Sequence, residues 1–238
     1  MYNVDTLIEG VDELNLSISN DEIEKFIIYK KLLKEWNEKI NITAITRDEE
    51  IDIKHFLDSL TPLSTKLFDD SIKIIDVGTG GGFPGIPLKI LENDIKLVLL
   101  DSLNKRIKFL NEVINQLNLK DVKTFHGRAE DFGKDPVYRE KFDISISRAV
   151  ASLNILSEYC LPFVKIGGYF IAMKGSSIDE EVDEAVNAIE TLGGRIEEKQ
   201  FITLPNSNIE HSLIIIKKIK PTPKKYPRMA GSPKRMPL

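Results

Sequence analysis

The segment Ile74–Leu88, IIDVGTGGGFPGIPL, sets an acid beside five glycines. Asp76 lies near the end of an apolar, β-branched run, the composition of a buried strand. Gly78, Gly80 and Gly82 follow at alternate positions. Glycines at a strand's C-terminal end let backbone approach a ligand closely and reach φ > 0 without steric cost. Gly85 and Pro87 then open a helix. Two ligand classes fit. Gly80, Gly82 and Gly85 have the G-x-G-x-x-G spacing of dinucleotide loops, which Gly-rich turns also produce by chance. The second match is Asp76 followed by Gly78, Gly80 and Gly82. A carboxylate there would repel a pyrophosphate and favour a ligand with cationic groups, such as the ammonium and sulfonium of S-adenosyl-L-methionine. The alternative is that Asp76 only caps the turn through local hydrogen bonds.

A second acid, Asp101, ends the run IKLVLLD about 20 residues beyond the loop. A carboxylate at that place suits a ribose diol, or else caps the following helix. The third element is Gly127-Arg128-Ala129-Glu130-Asp131, a polar turn placed to contact an adenine, or an ordinary helix start with acids near the dipole. His55, Asp58 and Ser59 stand at i, i+3 and i+4 and share one helix face. That face either covers the substrate side of the glycine loop or is a packing cluster. His126 and His211 fall in strand contexts and are expected to be packed or capped. With three scattered histidines and one cysteine, no metal-ligand spacing is present. Trp36 and Tyr29 belong to a helical apolar stripe and are expected in the core.

These residues need a scaffold of alternating strands and helices. Candidate strands are Ile72–Val77, Ile95–Asp101, Val122–His126, Phe142–Ser147 and Gly168–Lys174. Helical stretches, the clearest being Asn104–Leu117, separate them, which implies right-handed crossovers and a mostly parallel sheet. Two more runs, Arg195–Leu204 and His211–Ile219, are too close for a crossover helix and should pair as an antiparallel hairpin. The fold expected is therefore α/β, with a seven-stranded, mostly parallel sheet. Residues 1–70 read as a helical cap packed on the main domain. Ser19 with Glu22, and Thr46 with Glu49, have capping-box spacing, and Pro62 stands near the start of a third short helix. Residues 71–220 form the main domain and 221–238 a basic, Pro-rich tail.

The 238 residues suffice for a sizeable core, and 42% apolar with 29% charged residues is ordinary for a soluble protein. No apolar run approaches the length of a bilayer span. The acidic N-terminus lacks the basic region of a signal peptide, and the single Cys160 excludes an internal disulfide. A cytoplasmic location is expected. The net charge of −4 conceals polarity: eight Lys or Arg and no acid follow Ile216, leaving 25 basic and 37 acidic residues before it. A basic end on an acidic body suggests an anionic partner. Its prolines predict an extended tail that stays largely unstructured until bound. If all eight cations met single-stranded phosphates, the salt slope of binding would be roughly −5.

Taken in order, several motifs resemble the bacterial family of rRNA small-subunit methyltransferase G, also called glucose-inhibited division protein B. They are Trp36-Asn37-Glu38-Lys39-Ile40-Asn41, Thr43-Ala44-Ile45, His55-Phe56-Leu57-Asp58-Ser59-Leu60 and the whole stretch Asp76–Leu88. Ser147-Arg148-Ala149-Val150-Ala151, Lys174-Gly175, Tyr226-Pro227-Arg228 and Ala230-Gly231 complete them. The resemblance implies a Rossmann-like class I methyltransferase that methylates N7 of one guanine in small-subunit rRNA. It places cofactor contacts at Gly78, Phe83, Ala129, Glu130 and Arg148. Asp76, Gly80, Gly82 and Asp101 join this set from the loop chemistry above. Arg148 is also the candidate at the reacting centre, where it would hold guanine O6, N7 or a phosphate; the alternative is a structural salt bridge. Lys224, Lys225, Arg228, Lys234 and Arg235 are the candidate RNA contacts. The implied partner is small-subunit rRNA or the 30S particle, acted on by a monomer without membrane or metal. Two other functions share this sheet: a nucleotide-dependent oxidoreductase, against which Asp76 and the terminal hairpin argue, and a non-catalytic RNA-binding assembly factor.

Overall fold

The structure is a computed structural model, and it describes residues 4–68, 71–148 and 151–238. Helices α1 (Asp5–Glu13) and α2 (Asn20–Ile40) lead, then α3 (Asp48–Ile51) runs through a π-helical segment, Asp52–Leu57, into α4 (Asp58–Leu60) and a 3-10 turn, Thr61–Thr65. The alternating part follows as β1 (Lys73–Val77), α5 (Gly85–Leu91), β2 (Lys96–Asp101), α6 (Asn104–Gln116), β3 (Val122–His126), α7 (Ala129–Phe132), β4 (Phe142–Ser147), α8 (Leu153–Cys160), β5 (Val164–Gly175) and α9 (Asp179–Thr191). The chain closes with β6 (Gly194–Thr203), β7 (Glu210–Lys218) and α10 (Ser232–Arg235).

One seven-stranded sheet has the order β3-β2-β1-β4-β5-β7-β6. The first five strands pair in parallel, and β7 is antiparallel to both β5 and β6. The hairpin expected at the end of the chain is thus present, and β7 is wedged between β5 and β6. Side-chain alternation divides the core between the two faces of the sheet. Ile74, Leu97, Leu99, Ile144, Ile146 and Ile171 pack with the N-terminal helices, α5 and α6. Ile75, Val77, Leu100, Phe170, Ala172 and Ile214 pack with α8 and α9. The N-terminal helices share the first core without a break, Phe26, Tyr29 and Phe56 being wholly buried.

Two local expectations fail. Ser19 and Glu22 do form a reciprocal capping box, but Thr46 does not cap the next helix. Arg47 stands at that N-cap without a side-chain bond, and Asp48, Glu49 and Glu50 supply negative charge to the first turn instead. The tail is the larger correction. It is folded on the body, with Thr222, Tyr226 and Pro227 buried. Backbone groups that the prolines leave without secondary structure find partners in body side chains. Arg139 donates to the carbonyls of Thr222, at 2.7 Å, and Tyr226, at 2.8 Å. Thr222 N donates to Glu140 at 2.7 Å, Arg228 N to Glu158 at 2.7 Å and Gly231 N to Glu130 at 2.9 Å. Such satisfied backbone makes the tail part of the fold.

Candidate active site

The glycine turn after β1 is built around Asp76. The carboxylate is wholly buried. Its Oδ2 accepts from Thr79 Oγ1 at 2.6 Å and from Gly85 N at 2.9 Å, while Oδ1 has no partner. Burial therefore pushes its pKa up to about 7, against the two hydrogen bonds that favour the charged form. Asp76 thus ties the start of α5 to the end of β1, beneath the loop, and does not line a cavity. Gly78, Gly80 and Gly82 all have positive φ, at 73°, 62° and 95°. Tyr29, from α2, donates its hydroxyl to Gly81 O and buttresses the loop from behind. Phe83 is turned into the core, stacked on His55 with ring centroids 4.5 Å apart and on Tyr29 at 5.4 Å.

Above the loop lies a cavity of about 300 Å³ at the C-terminal ends of the parallel strands, where open α/β sheets bind ligands. Gly78 follows β1, Asp101 ends β2 with Ser102 just after it, Gly127 and Arg128 follow β3, and Ala129 and Glu130 open α7. Leu156 and Tyr159 of α8 form another wall. A Cβ at Gly78 would meet no atom within 4 Å, so the positive φ, and not crowding by the protein, accounts for glycine there. Asp101 Oδ2 accepts from Gly80 N at 2.9 Å and from Arg106 at 3.2 Å, and Oδ1 accepts from Leu103 N at 2.8 Å. Asp101 therefore fixes both the glycine turn and the entry to α6, and still faces the cavity. Glu130 also lines it, while its Oε1 takes the tail's Gly231 N. An apolar-walled slot edged by carboxylates and bare backbone suits a nucleoside with a ribose diol.

Of the residues singled out by sequence, Gly78, Asp101, Ala129 and Glu130 converge on this cavity. Gly80 and Gly82 shape the turn, and Asp76 and Phe83 lie under it. Arg148, at the end of β4, lies apart from them, on the wall of a second cavity of about 370 Å³ with Met173, Lys174, Gly175, Ile178, Glu181 and His211. Ala149 and Val150 lie outside the described residues. The Arg148 guanidinium sits 5.0 Å over the Phe83 ring. Nη1 donates to Asp58 Oδ2 at 2.7 Å and to the carbonyls of Lys54, at 3.0 Å, and His55, at 3.3 Å. Nη2 bonds His55 Nδ1 at 3.2 Å. Because arginine only donates, His55 Nδ1 is the acceptor, and its Nε2 carries the proton toward Thr43 Oγ1 at 2.8 Å. Burial, and then the Arg148 charge, drive the His55 pKa down to about 3. His211 Nδ1 meets Asp58 Oδ1 at 2.7 Å.

The shared face of His55, Asp58 and Ser59 thus holds Arg148, Ser59 Oγ accepting from Nη1 at 3.4 Å, and through Asp58 it also meets His211. His211, expected to be packed or capped, has a partner that the sequence did not give: its place in a terminal hairpin gave no sign that β7 would lie between β5 and β6 and bring it to Asp58. Of the tail cations, Lys224, Lys225, Lys234 and Arg235 are exposed. Arg228 is not free, since it forms a bidentate pair with buried Glu158, Nη2 to Oε2 at 2.6 Å and Nε to Oε1 at 3.0 Å. Among the described residues no group of three or more His, Cys, Asp or Glu could hold a metal ion, and no helix is long and apolar enough to cross a membrane.

The fold resembles the crystal structure of M. jannaschii TYW2 in complex with AdoMet. The likeness has a TM-score of 0.52 and 14% identity, and covers 68% of this chain and 77% of that one. The sheet order, the inserted antiparallel β7 and the cavity at the strand ends define a Rossmann-like class I methyltransferase fold. The family model for rRNA small subunit methyltransferase G matches residues 22–211. Ribosomal RNA small subunit methyltransferase G of Acetivibrio thermocellus is 56% identical over 232 residues, covering 98% of this chain and 95% of the relative. The protein of the same name from Clostridium perfringens is 50% identical over 238 residues, the full length of both. The chain belongs to the rRNA small subunit methyltransferase G family.

Proposed function

We propose that this protein transfers a methyl group from S-adenosyl-L-methionine to N7 of a specific guanine in small-subunit (16S) rRNA. The observation that carries this reading is the cavity bounded by the turns after β1, β2 and β3, in a chain of this family. Gly78, Asp101, Ala129 and Glu130 would hold the cofactor, which supplies an electrophilic methyl group on a sulfonium. Asp101 and Glu130 favour a ligand with diol and amino donors and a positive charge. Neither the oxidoreductase nor the non-catalytic alternative finds support in the family match.

Guanine N7 has a free lone pair at neutral pH, so no proton need leave before attack. Alignment of the two reactants is then the main source of acceleration. The residues fit that demand: Asp101 and Asp76 fix the turn backbone, and the Asp58–His55 pair fixes Arg148. Arg148 borders the second cavity, beside the first, and its position there favours a contact with guanine O6 or a phosphate. Lys224, Lys225, Lys234 and Arg235 would meet rRNA phosphates, in naked rRNA or in the 30S particle, in the cytoplasm.

Titration calorimetry with S-adenosylmethionine and with NAD, followed by transfer of a tritiated methyl group to 16S rRNA, tests the proposal. Binding of the first ligand alone, and label recovered as a single 7-methylguanine by mass mapping, are expected. Binding of NAD, or label on another base or atom, would overturn it.

A further inference from the structure

The second cavity contains a carboxylate that its neighbours leave half used. Glu181, in the first turn of α9, faces it together with Lys174 from the end of β5. Glu181 Oε1 takes Lys174 Nζ at 2.5 Å and Leu153 N at 2.6 Å. Lys174 Nζ also donates to Ala151 O at 2.7 Å. Both lone pairs of Oε1 are therefore engaged, while Oε2 accepts no hydrogen bond among the described residues. The Lys174 side chain is only 8% exposed and that of Glu181 26% exposed, so the carboxylate is fixed in orientation and still reachable.

The same contacts join the two cavities. Ala151 lines the first, and its carbonyl is held by Lys174 of the second. Leu153 N opens α8, whose Leu156 and Tyr159 wall the first cavity. The second cavity is thus tied to the first through Ala151 and Leu153.

We infer that Glu181 determines base specificity, its Oε2 accepting a hydrogen bond from the exocyclic 2-amino group of the target guanine. This rests on the functional reading above. Guanine presents N7 and O6 as acceptors on one edge and N1–H and the 2-amino group as donors on the next. The donor edge calls for an anionic acceptor, and Glu181 is the one carboxylate among the residues lining this cavity. The acceptor O6 calls for a cation, and Arg148 is on the same wall. Adenine has no 2-amino group and carries an acceptor at N1, so it would leave the carboxylate unpaired. A site that hydrogen-bonds a substrate group rejects the analogue lacking it far better than an apolar pocket can.

Inosine, which is guanosine without the 2-amino group, isolates this contact. The target position is first mapped in 16S rRNA, and rRNA carrying guanosine or inosine there is then assayed for methyl transfer. The wild-type protein is expected to prefer guanosine by tenfold or more in kcat/KM. Glu181→Gln keeps an acceptor for Leu153 N but turns an amide donor toward the base. It should lose tenfold or more on guanosine and little on inosine, with cofactor affinity unchanged by calorimetry. Equal wild-type rates on the two substrates would overturn the inference, and that comparison needs no variant. Equal losses on both in Glu181→Gln would also overturn it, as a purely structural role. No transfer to guanosine rRNA by the wild type would instead sink the functional reading beneath it.

Discussion

Asp58 and Arg148 are ninety positions apart in the chain and meet in a 2.7 Å ion pair. The pair joins the N-terminal helices to the end of β4, and His211 brings β7 to the same carboxylate. Burial works to raise the Asp58 pKa, but the His211 bond and the Arg148 charge more than offset it and hold it below the ordinary value. Asp58→Ala removes the carboxylate that both partners share and leaves Arg148 its bonds to the Lys54 and His55 carbonyls and to His55 Nδ1. Breaking a buried pair costs about 3–5 kcal/mol; with Arg148 partly in water, about 2–4 kcal/mol is expected here. Urea unfolding should show that loss, and methyl transfer should fall at least tenfold while cofactor affinity, read by calorimetry, changes far less.

Asp76 predicts a pH dependence near neutrality. Its folded pKa, about 7, lies above the ordinary 3.8, so the folded chain holds more protons between those values. The stabilisation is complete below about pH 4 and is lost as pH rises through about 7. Asp76→Asn removes this contribution. The stability of the wild type relative to that variant should fall from pH 4 to pH 7 and level off above, as measured by urea midpoints.

His55 has the opposite sign. Its folded pKa of about 3 lies below the ordinary 6.5, so the unfolded chain takes up more protons between those values. Stability is lost as pH falls from about 6.5 toward 3. In His55→Gln, which retains an acceptor for Arg148, the decline in urea midpoint between pH 7 and pH 5 should be shallower than in the wild type.

Arg228 and the neighbouring lysines should behave differently. Arg228→Ala strands the buried Glu158 carboxylate and should cost about 2–3 kcal/mol in urea unfolding, below the value for a fully buried pair because Arg228 is partly exposed. Lys224→Ala should cost less than about 0.5 kcal/mol.

The RNA salt dependence should be smaller than eight tail charges suggest. Lys218 is buried, Lys217 lies near Glu197 and Tyr169, and Arg228 is paired. Lys220, Lys224, Lys225, Lys234 and Arg235 remain exposed, which limits the tail's share of the slope to roughly −3.5 on single strands. Neutralising Lys224, Lys225, Lys234 and Arg235 together should reduce the slope by about 3 in filter-binding titrations. A truncation at Lys224 would be a poorer test, because it also removes the partners of Glu130 and Glu158.

Much of this was legible in the sequence because it was local. The β-branched runs at Val122–His126 and Phe142–Ser147 give strands with the same bounds, and Ser19-x-x-Glu22 forms its box. The glycine spacing located the cavity. What escaped was settled by packing: for Asp76 it chose between two readings that the sequence left open, and elsewhere it worked through distant contacts. The charge of Asp76 suggested a ligand contact, but its partners Thr79 and Gly85 fold over it and leave it beneath the turn. The prolines of the tail spoke for an open chain; Arg139, Glu140 and Glu158, about seventy residues or more away in sequence, supply the bonds that close it. No spacing rule relates His211 to Asp58, because the position of β7 between β5 and β6 is a property of the whole sheet.

That position of β7 has a consequence for damaged or incomplete chains. Any fragment ending before Glu210 leaves β5 with an unpaired edge from Tyr169 to Gly175, including the apolar run Phe170–Met173, which is shielded in the intact protein. Such an edge is a template for strand addition. Clipping in the turn before β7, followed by loss of β7, should therefore yield self-associating material.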